Sequence, residues 1–146
     1  MSRLIFTALF SLLLLAPSFA GAGKIDVIAV SVTGQGGATA DSVEVAVRKA
    51  AAKCSSTSKG VRDKGHCSAF LVKAPHGQYL VGGVCTIGKG TTKFPTYGAS
   101  KASFPAAIIV AKKKTLSLLR KNAKISFRMS SLNCEITIRM RKGRVL

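Results

Sequence analysis

The sequence predicts a small α+β domain: a mostly antiparallel sheet with one or two helices packed on one face, stapled by two disulfides. Three observations predict this class. Short segments of apolar or alternating residues surround one segment of clear helical periodicity. Hydrophobic residues make up 47% of the chain, which excludes a disordered basic tail. The 4 cysteines are an even number that can pair completely.

Residues 1–22 have the features of a secretory signal peptide. A positive residue precedes an apolar run over residues 4–16, and small residues predict cleavage after Ala20 or Ala22. The 13-residue run is shorter than the roughly 20 residues that a membrane span needs. We therefore expect a secreted or periplasmic protein whose mature chain, residues 23–146, is a single basic α+β domain without a membrane span.

The cysteines all lie in the predicted mature chain, and an oxidising compartment would pair them into two disulfides. We favour Cys54 with Cys67 and Cys85 with Cys134, because Cys54 ends a predicted helix and Cys67 starts the next predicted strand. Pairing of Cys67 with Cys85 across a hairpin is the main alternative. The cysteine spacings match no zinc signature, so we expect no metal and no cofactor.

The first elements of the mature chain are a strand and a helix. Residues 24–32 are almost wholly apolar after Asp26, which predicts a strand covered on both faces and central in its sheet. A glycine-rich turn at residues 34–37 ends this strand. Asp41 as N-cap, with Glu44 three residues later, then starts a helix. Its apolar stripe has helical spacing and comprises Val43, Ala46, Val47, Ala50, Ala51 and Cys54.

The middle of the chain predicts a loop, a hairpin and a second loop. Residues 55–66 are polar, which favours a loop. Short apolar runs at residues 67–73 and 78–87 flank a turn at residues 74–77, which predicts a hairpin. Residues 88–103 are rich in glycine, threonine, serine and lysine, which again favours a loop.

The last third of the chain predicts a helix followed by another hairpin. Pro105 is tolerated in a first helical turn and favours a helix over residues 106–121, with a strand over residues 106–111 as the alternative. Apolar residues alternate with polar ones over residues 125–130 and 134–141, which predicts two paired strands. The predicted order is therefore strand, helix, hairpin, helix, hairpin.

Charge is the strongest functional signal in the sequence. The chain has 23 Lys and Arg against 5 Asp and Glu, a net charge of +18, and residues 112–146 hold 11 basic residues against the single acid Glu135. Alternation places Arg128, Arg139 and Arg141 on the non-core face of the last hairpin, where they can neutralise phosphates or sulfates. A merely soluble surface would mix both signs of charge. The predicted polyanion-binding residues are Lys112, Lys113, Lys114, Arg120, Lys121, Arg128, Arg139, Arg141, Lys142 and Arg144.

Residues 88–104 add aromatic side chains to this charge. Single-stranded nucleic-acid binders combine cations with aromatic rings on which bases stack. The same rings can instead anchor a long loop to the core. The candidate loop contacts are Lys89, Lys93, Phe94, Tyr97 and Lys101.

No complete catalytic motif is present, and we assign no catalytic residue. Residues 83–90 approach a phosphate-binding loop, but Gly90 stands where that motif needs a hydroxyl group. His66 and His76 lie in predicted loops, and a secreted ribonuclease could use two histidines with a lysine as acid, base and charge stabiliser.

These observations predict a non-enzymatic binding protein for an anionic polymer, such as nucleic acid, lipopolysaccharide or another polyanion, or for an anionic surface. The alternative is a structural or assembly subunit of an envelope or extracellular complex that binds an acidic protein. A secreted nuclease or toxin is the third interpretation.

Overall fold

The computed structural model describes residues 23–123 and 128–146. The predicted signal peptide, residues 1–22, and residues 124–127 at the start of the last predicted hairpin lie outside the described residues. Seven strands are described: β1 (Ile25–Val30), β2 (Gln35–Ala40), β3 (Leu71–Pro75), β4 (Tyr79–Ile87), β5 (Lys93–Ser100), β6 (Leu132–Arg141) and β7 (Arg144–Val145). Three helices accompany them: α1 (Val43–Thr57), α2 (Val61–Ala69) and α3 (Phe104–Ala123).

The strands form two antiparallel sheets that pack face to face. The first sheet has the order β2-β1-β3 and the second the order β5-β4-β6-β7. Helix α1 packs on the outer face of the first sheet, and α3 packs on the outer face of the second. The domain therefore has four layers: helix, sheet, sheet, helix. The cluster buried between the sheets consists of Ile28, Val30, Val72, Ala74, Leu80, Ile138 and Met140.

The α+β class, the antiparallel pairing and both disulfides are confirmed. Cys54 is bonded to Cys67, and Cys85 is bonded to Cys134, which is the favoured connectivity. The layout differs from the expected single sheet with its helices on one face. Each sheet is apolar on both faces, so each needs a cover on both sides. The sheets cover one another, and a helix covers each outer face.

β1 and α1 have the predicted positions, but a strand lies between them where the sequence predicted a turn. β1 is the central strand of its sheet, and residues 27–30 are fully buried. The glycines at residues 34–37 do not end the sheet, because most of them belong to β2. Gly36 lets α1 approach this strand, since a Cβ atom there would overlap the Ala50 carbonyl oxygen. Glycine at this position serves close packing rather than a turn.

α1 buries Ala46, Ala50 and Cys54 of the predicted apolar stripe, but Val43 at the start of the stripe is 43% exposed. Its N-cap is Ser42 and not the predicted Asp41. The Ser42 hydroxyl accepts a hydrogen bond from the Val45 N–H at 3.2 Å, which satisfies one of the free N–H groups at the start of the helix.

Three local expectations are wrong in the middle of the chain. The loop expected at residues 55–66 is replaced by the end of α1 and most of α2. Residues 67–73 and 78–87 form no hairpin, because β3 pairs with β1 while β4 pairs with β5 and β6. The loop expected at residues 88–103 contains strand β5. Contacts between distant segments, which the local pattern does not show, decide these structures.

α3 is a helix, as favoured over a strand. In its described part, the first strand of the last predicted hairpin is replaced by a short 3₁₀ turn at Met129–Ser131, which leads into β6. Arg128 precedes this turn and does not lie on a strand. β6 pairs with β4 on one side and with β7 on the other.

Candidate polyanion-binding surface

The two halves of the sandwich carry very different charges. Residues 23–78, which form the first sheet with α1 and α2, contain 8 basic and 4 acidic residues, a net charge of +4. Residues 79–146, which form the second sheet and α3, contain 14 basic residues and the single acid Glu135, a net charge of +13. We refer to these segments as the first half and the basic half.

Two arginines of β6 stack on aromatic rings at the outer face of the second sheet. The Arg141 Cζ atom lies 4.2 Å from the centroid of the Tyr79 ring, and the Arg139 Cζ atom lies 5.9 Å from that of Phe104. The two rings meet edge to face, with their centroids 5.0 Å apart. These four side chains form one continuous group, which we call the Arg–aromatic cluster.

Stacking orients both guanidinium groups and leaves N–H groups available for an anion. An arginine held against a ring loses less conformational freedom on binding phosphate than a free side chain does. Arg139 is exposed and Arg141 is half-buried. The Arg141 Nε atom is buried and has no hydrogen-bond partner among the described residues. The exposed guanidinium N–H groups of Arg139 can donate charge-assisted hydrogen bonds to phosphate or sulfate oxygens.

A β-bulge sets the face on which these arginines lie. The pairing of β4 with β6 shifts after Gly82, so Thr137 is left without an opposite residue. The alternation of side chains therefore reverses along β6. Ile136 packs toward α3, whereas Ile138 packs between the sheets. The two arginines share one face, as alternation predicts, but that face also carries Ile136, which the sequence predicted on the opposite face.

The cations of α3 lie on two flanks of the helix. Lys113 and Arg120 border a surface cavity of about 430 Å³ on the flank near the 3₁₀ turn. On another flank the Lys114 ammonium group lies 4.2 Å from the centroid of the Tyr97 ring. Lys112 is half-buried and Lys121 is exposed. The predicted cations of α3 therefore do not form a single surface.

The turn between β6 and β7 adds two cations next to the Arg–aromatic cluster. Lys142 and Gly143 have positive φ angles of 49° and 75°, the geometry that a tight two-residue hairpin turn requires. Lys142 and Arg144 are exposed and follow Arg141 closely in the chain. Arg128, which the sequence predicted on the same face, is not placed there by any strand register.

The predicted loop contacts do not form a common stacking platform. Phe94 and Tyr97 lie in β5 and are both half-buried. Tyr97 packs against the cluster between the sheets. Lys89 and Lys93 are exposed near one end of β5, and Lys101 is exposed just beyond the other end. Tyr97 anchors a strand to the core, which resembles the alternative that the sequence left open.

Each histidine has a carboxylate neighbour of its own. The His76 Nδ1 atom lies 3.2 Å from an oxygen of Asp26, whose side chain is fully buried and also accepts a hydrogen bond from Thr39. His66 lies in α2 rather than in a loop, and its Nδ1 atom is 3.6 Å from Asp63. In the described part of the chain no hydrogen bond or ring contact joins the two histidines. One sequence signal points to the Asp26–His76 contact: Asp26 is a charged residue in an otherwise apolar strand.

Among residues 23–123 and 128–146, no group of three or more histidine, cysteine or acidic side chains is placed to hold a metal ion. The same residues include no helix that is both long and apolar enough to cross a membrane. Comparisons with family models, with curated proteins and with solved structures found no match. The function must therefore be argued from the charge and geometry of the chain itself.

Proposed function

We propose that this chain is an exported protein that binds an anionic polymer through the Arg–aromatic cluster. The observation that carries the proposal is the stacking of Arg139 and Arg141 on two rings, within a half of the domain that has 14 basic residues and one acid. Oriented guanidinium groups bind phosphate and sulfate well. The surrounding positive charge attracts a polyanion over longer distances and accelerates association.

Export agrees with the chemistry of the cysteines. Disulfides persist in oxidising compartments and are rare in the cytosol. No free cysteine is present in the described part of the chain, where both pairs are bonded. Together with the signal-like pattern of residues 1–22, this supports a secreted or periplasmic location.

The proposed recognition reads charge rather than sequence. Contacts to phosphate position a protein on a nucleic acid but do not distinguish its bases. The half-buried positions of Phe94 and Tyr97 also argue against a platform on which successive bases stack. We therefore expect the protein to bind DNA, heparin and other dense polyanions with similar dependence on salt.

Salt-dependent retention on heparin and on DNA tests the proposal. The double variant Arg139→Glu/Arg141→Glu should bind DNA much more weakly than Arg48→Glu/Lys49→Glu, which reverses two exposed charges of α1. Each phosphate contact that is lost should reduce the slope of log K against log salt by about 0.9. Thermal unfolding of both variants serves as the control for retained folding.

Two outcomes would contradict the proposal. Equal losses in the two double variants would mean that net charge alone explains binding. No retention on heparin or DNA at low salt would exclude polyanion binding, and a pull-down at low salt would then test for an acidic protein partner.

A further inference from the structure

An apolar groove lies at the β5 edge of the second sheet, beside the C-terminal part of α3. Its volume is about 410 Å³. Leu118 in its wall is 43% exposed. The Thr115 hydroxyl in the same wall is already hydrogen-bonded to that of Thr96 at 2.8 Å, which leaves Asn122 as the other polar lining residue. The apolar lining residues are Phe70, Ile87, Phe94, Pro95, Leu118 and Leu119.

The groove is separate from the Arg–aromatic cluster. Phe104 of that cluster begins α3, and Leu118 lies 14 residues further along the same helix. At 1.5 Å per residue, these positions are about 20 Å apart along the helix axis. A ligand in the groove therefore needs none of the contacts on which the proposed polyanion binding depends.

Two cations of α3 flank the groove. Lys114 and Lys121 each precede a lining residue of the helix in the sequence. Lys114 and Lys121 are two helical turns apart and therefore lie on the same side of α3. The Lys114 ammonium group lies 4.2 Å from the centroid of the Tyr97 ring, which itself contacts the ring of Phe70 in the groove wall. The wall of the groove is apolar and its rim is positive.

We propose that this groove binds the acyl chain of an anionic lipid, whose phosphate or carboxylate group pairs with Lys114 and Lys121. Contiguous apolar surface that stays exposed marks a binding site, and pockets for small molecules have volumes of roughly 300–1,000 Å³. A molecule with one apolar and one anionic end is complementary to both parts of the groove. A nucleic acid would pair with the rim but would leave Ile87, Leu118 and Leu119 without an apolar partner.

Calorimetric titration with alkyl phosphates below their critical micelle concentrations tests the site. Each methylene group that enters the groove should raise the affinity about fourfold, so decyl phosphate should bind about tenfold or more tightly than octyl phosphate. Inorganic phosphate lacks the chain and decyl maltoside lacks the charge, and both should bind much more weakly than decyl phosphate.

A matched pair of variants locates the binding. Leu118→Asp places a carboxylate in the groove and should weaken decyl phosphate binding about tenfold or more. Val110→Asp is the control, because Val110 is also 43% exposed on α3 but does not line the groove. Its affinity for decyl phosphate should stay within about twofold of the parent protein. Thermal unfolding of both variants confirms that folding is retained.

Three results would overturn the inference: decyl phosphate that binds no better than inorganic phosphate, decyl maltoside that binds as well as decyl phosphate, or equal losses in the two aspartate variants. Heparin retention, measured in parallel, separates this inference from the proposed function. The variant Arg139→Glu/Arg141→Glu should no longer be retained on heparin but should still bind decyl phosphate. Leu118→Asp should be retained on heparin but should bind decyl phosphate weakly.

Discussion

The two halves of the sandwich are built alike and use their charged groups differently. Each half is an antiparallel sheet with a helix on its outer face and a disulfide of its own. Each also has a glycine beneath the helix, Gly36 under α1 and Gly98 under α3, where a Cβ atom would press on the helix backbone. Neither the layering nor the close helix packing explains the difference in charge between the halves.

Two of the four acids of the first half have partners within that half. Asp26 is fully buried and contacts His76 and Thr39, and Asp63 accepts a hydrogen bond from Thr33. The basic half has almost no acids with which its cations could pair, and its two stacked arginines contact rings instead. The contrast teaches that packing and exposed charge are separate properties of this fold. Packing uses small and apolar residues in both halves, whereas the excess of positive charge is concentrated in the basic half.

The largest expected effect is the loss of a disulfide, and the two halves should respond unequally. The Cys85–Cys134 bond spans a sequence separation of 49, against 13 for Cys54–Cys67. Replacing either pair with alanine should cost about 2–5 kcal/mol of unfolding free energy. Because its loop is longer, loss of the Cys85–Cys134 bond should cost about 1 kcal/mol more of unfolding free energy than loss of the Cys54–Cys67 bond. Urea unfolding of the two double variants measures this difference, and a greater loss from the first half would contradict it.

The glycines beneath the helices should give the next largest effect, and a similar one in each half. Gly36→Ala and Gly98→Ala should each lower the free energy of unfolding by about 3 kcal/mol, because the new Cβ would meet helix backbone. Gly65→Ala is the control: it lies in α2 with open space around it and should stabilise by about 0.5–1 kcal/mol. A melting temperature for Gly36→Ala or Gly98→Ala that rises like that of the control would show that the helix contact is wrong.

Acidic residues of the two halves should differ in their contribution to stability. Asp26→Ala should cost about 1–3 kcal/mol, because the donors on Thr39 and Gly77 lose a buried acceptor. Glu135→Ala removes the exposed acid of the basic half and should change stability by less than about 0.5 kcal/mol. Chemical denaturation of the two variants distinguishes them, and equal effects would mean that the Asp26 contacts are not structural.

The smallest expected effect separates stacking from charge in the basic half. Arg139→Lys/Arg141→Lys keeps the net charge but removes the planar groups that stack on the rings. A lysine cannot donate two parallel hydrogen bonds to one phosphate and is held less firmly against a ring, so DNA affinity should fall about two- to fivefold for each arginine. Arg48→Lys in the first half should have no effect. Unchanged affinity in the double variant would show that the rings do not assist binding.

The sequence pattern predicted those helices and strands whose buried residues recur at regular spacing within the element itself. The apolar stripe of α1 and the continuous apolar run of β1 are of this kind. β5 was not predictable in the same way, because Pro95 and Gly98 lower its local preference for a strand. It is a strand because it pairs with β4 and lies under α3, and both contacts join segments that the local pattern treats separately.

The candidate site shows the same division. Alternation alone placed Arg139 and Arg141 on a common face. Their ring partners were beyond prediction, because Tyr79 comes from β4 and Phe104 from α3. The reversal of side-chain faces along β6 could not be predicted either, because it depends on the β-bulge opposite Gly83. At Gly83 a Cβ atom would overlap the backbone of β6.

Each disulfide joins cysteines that are consecutive along the chain, and this has a consequence for how the protein matures. A polypeptide emerges from its N-terminus first, so Cys54 and Cys67 are both accessible before Cys85 emerges. Once Cys54 and Cys67 are bonded, neither has a free thiol that could pair wrongly with Cys85. Cys85 then stays reduced until Cys134 is available. Oxidation in the order of synthesis thus yields the native connectivity without reshuffling by an isomerase. The disulfide of each half can form independently of the disulfide of the other half.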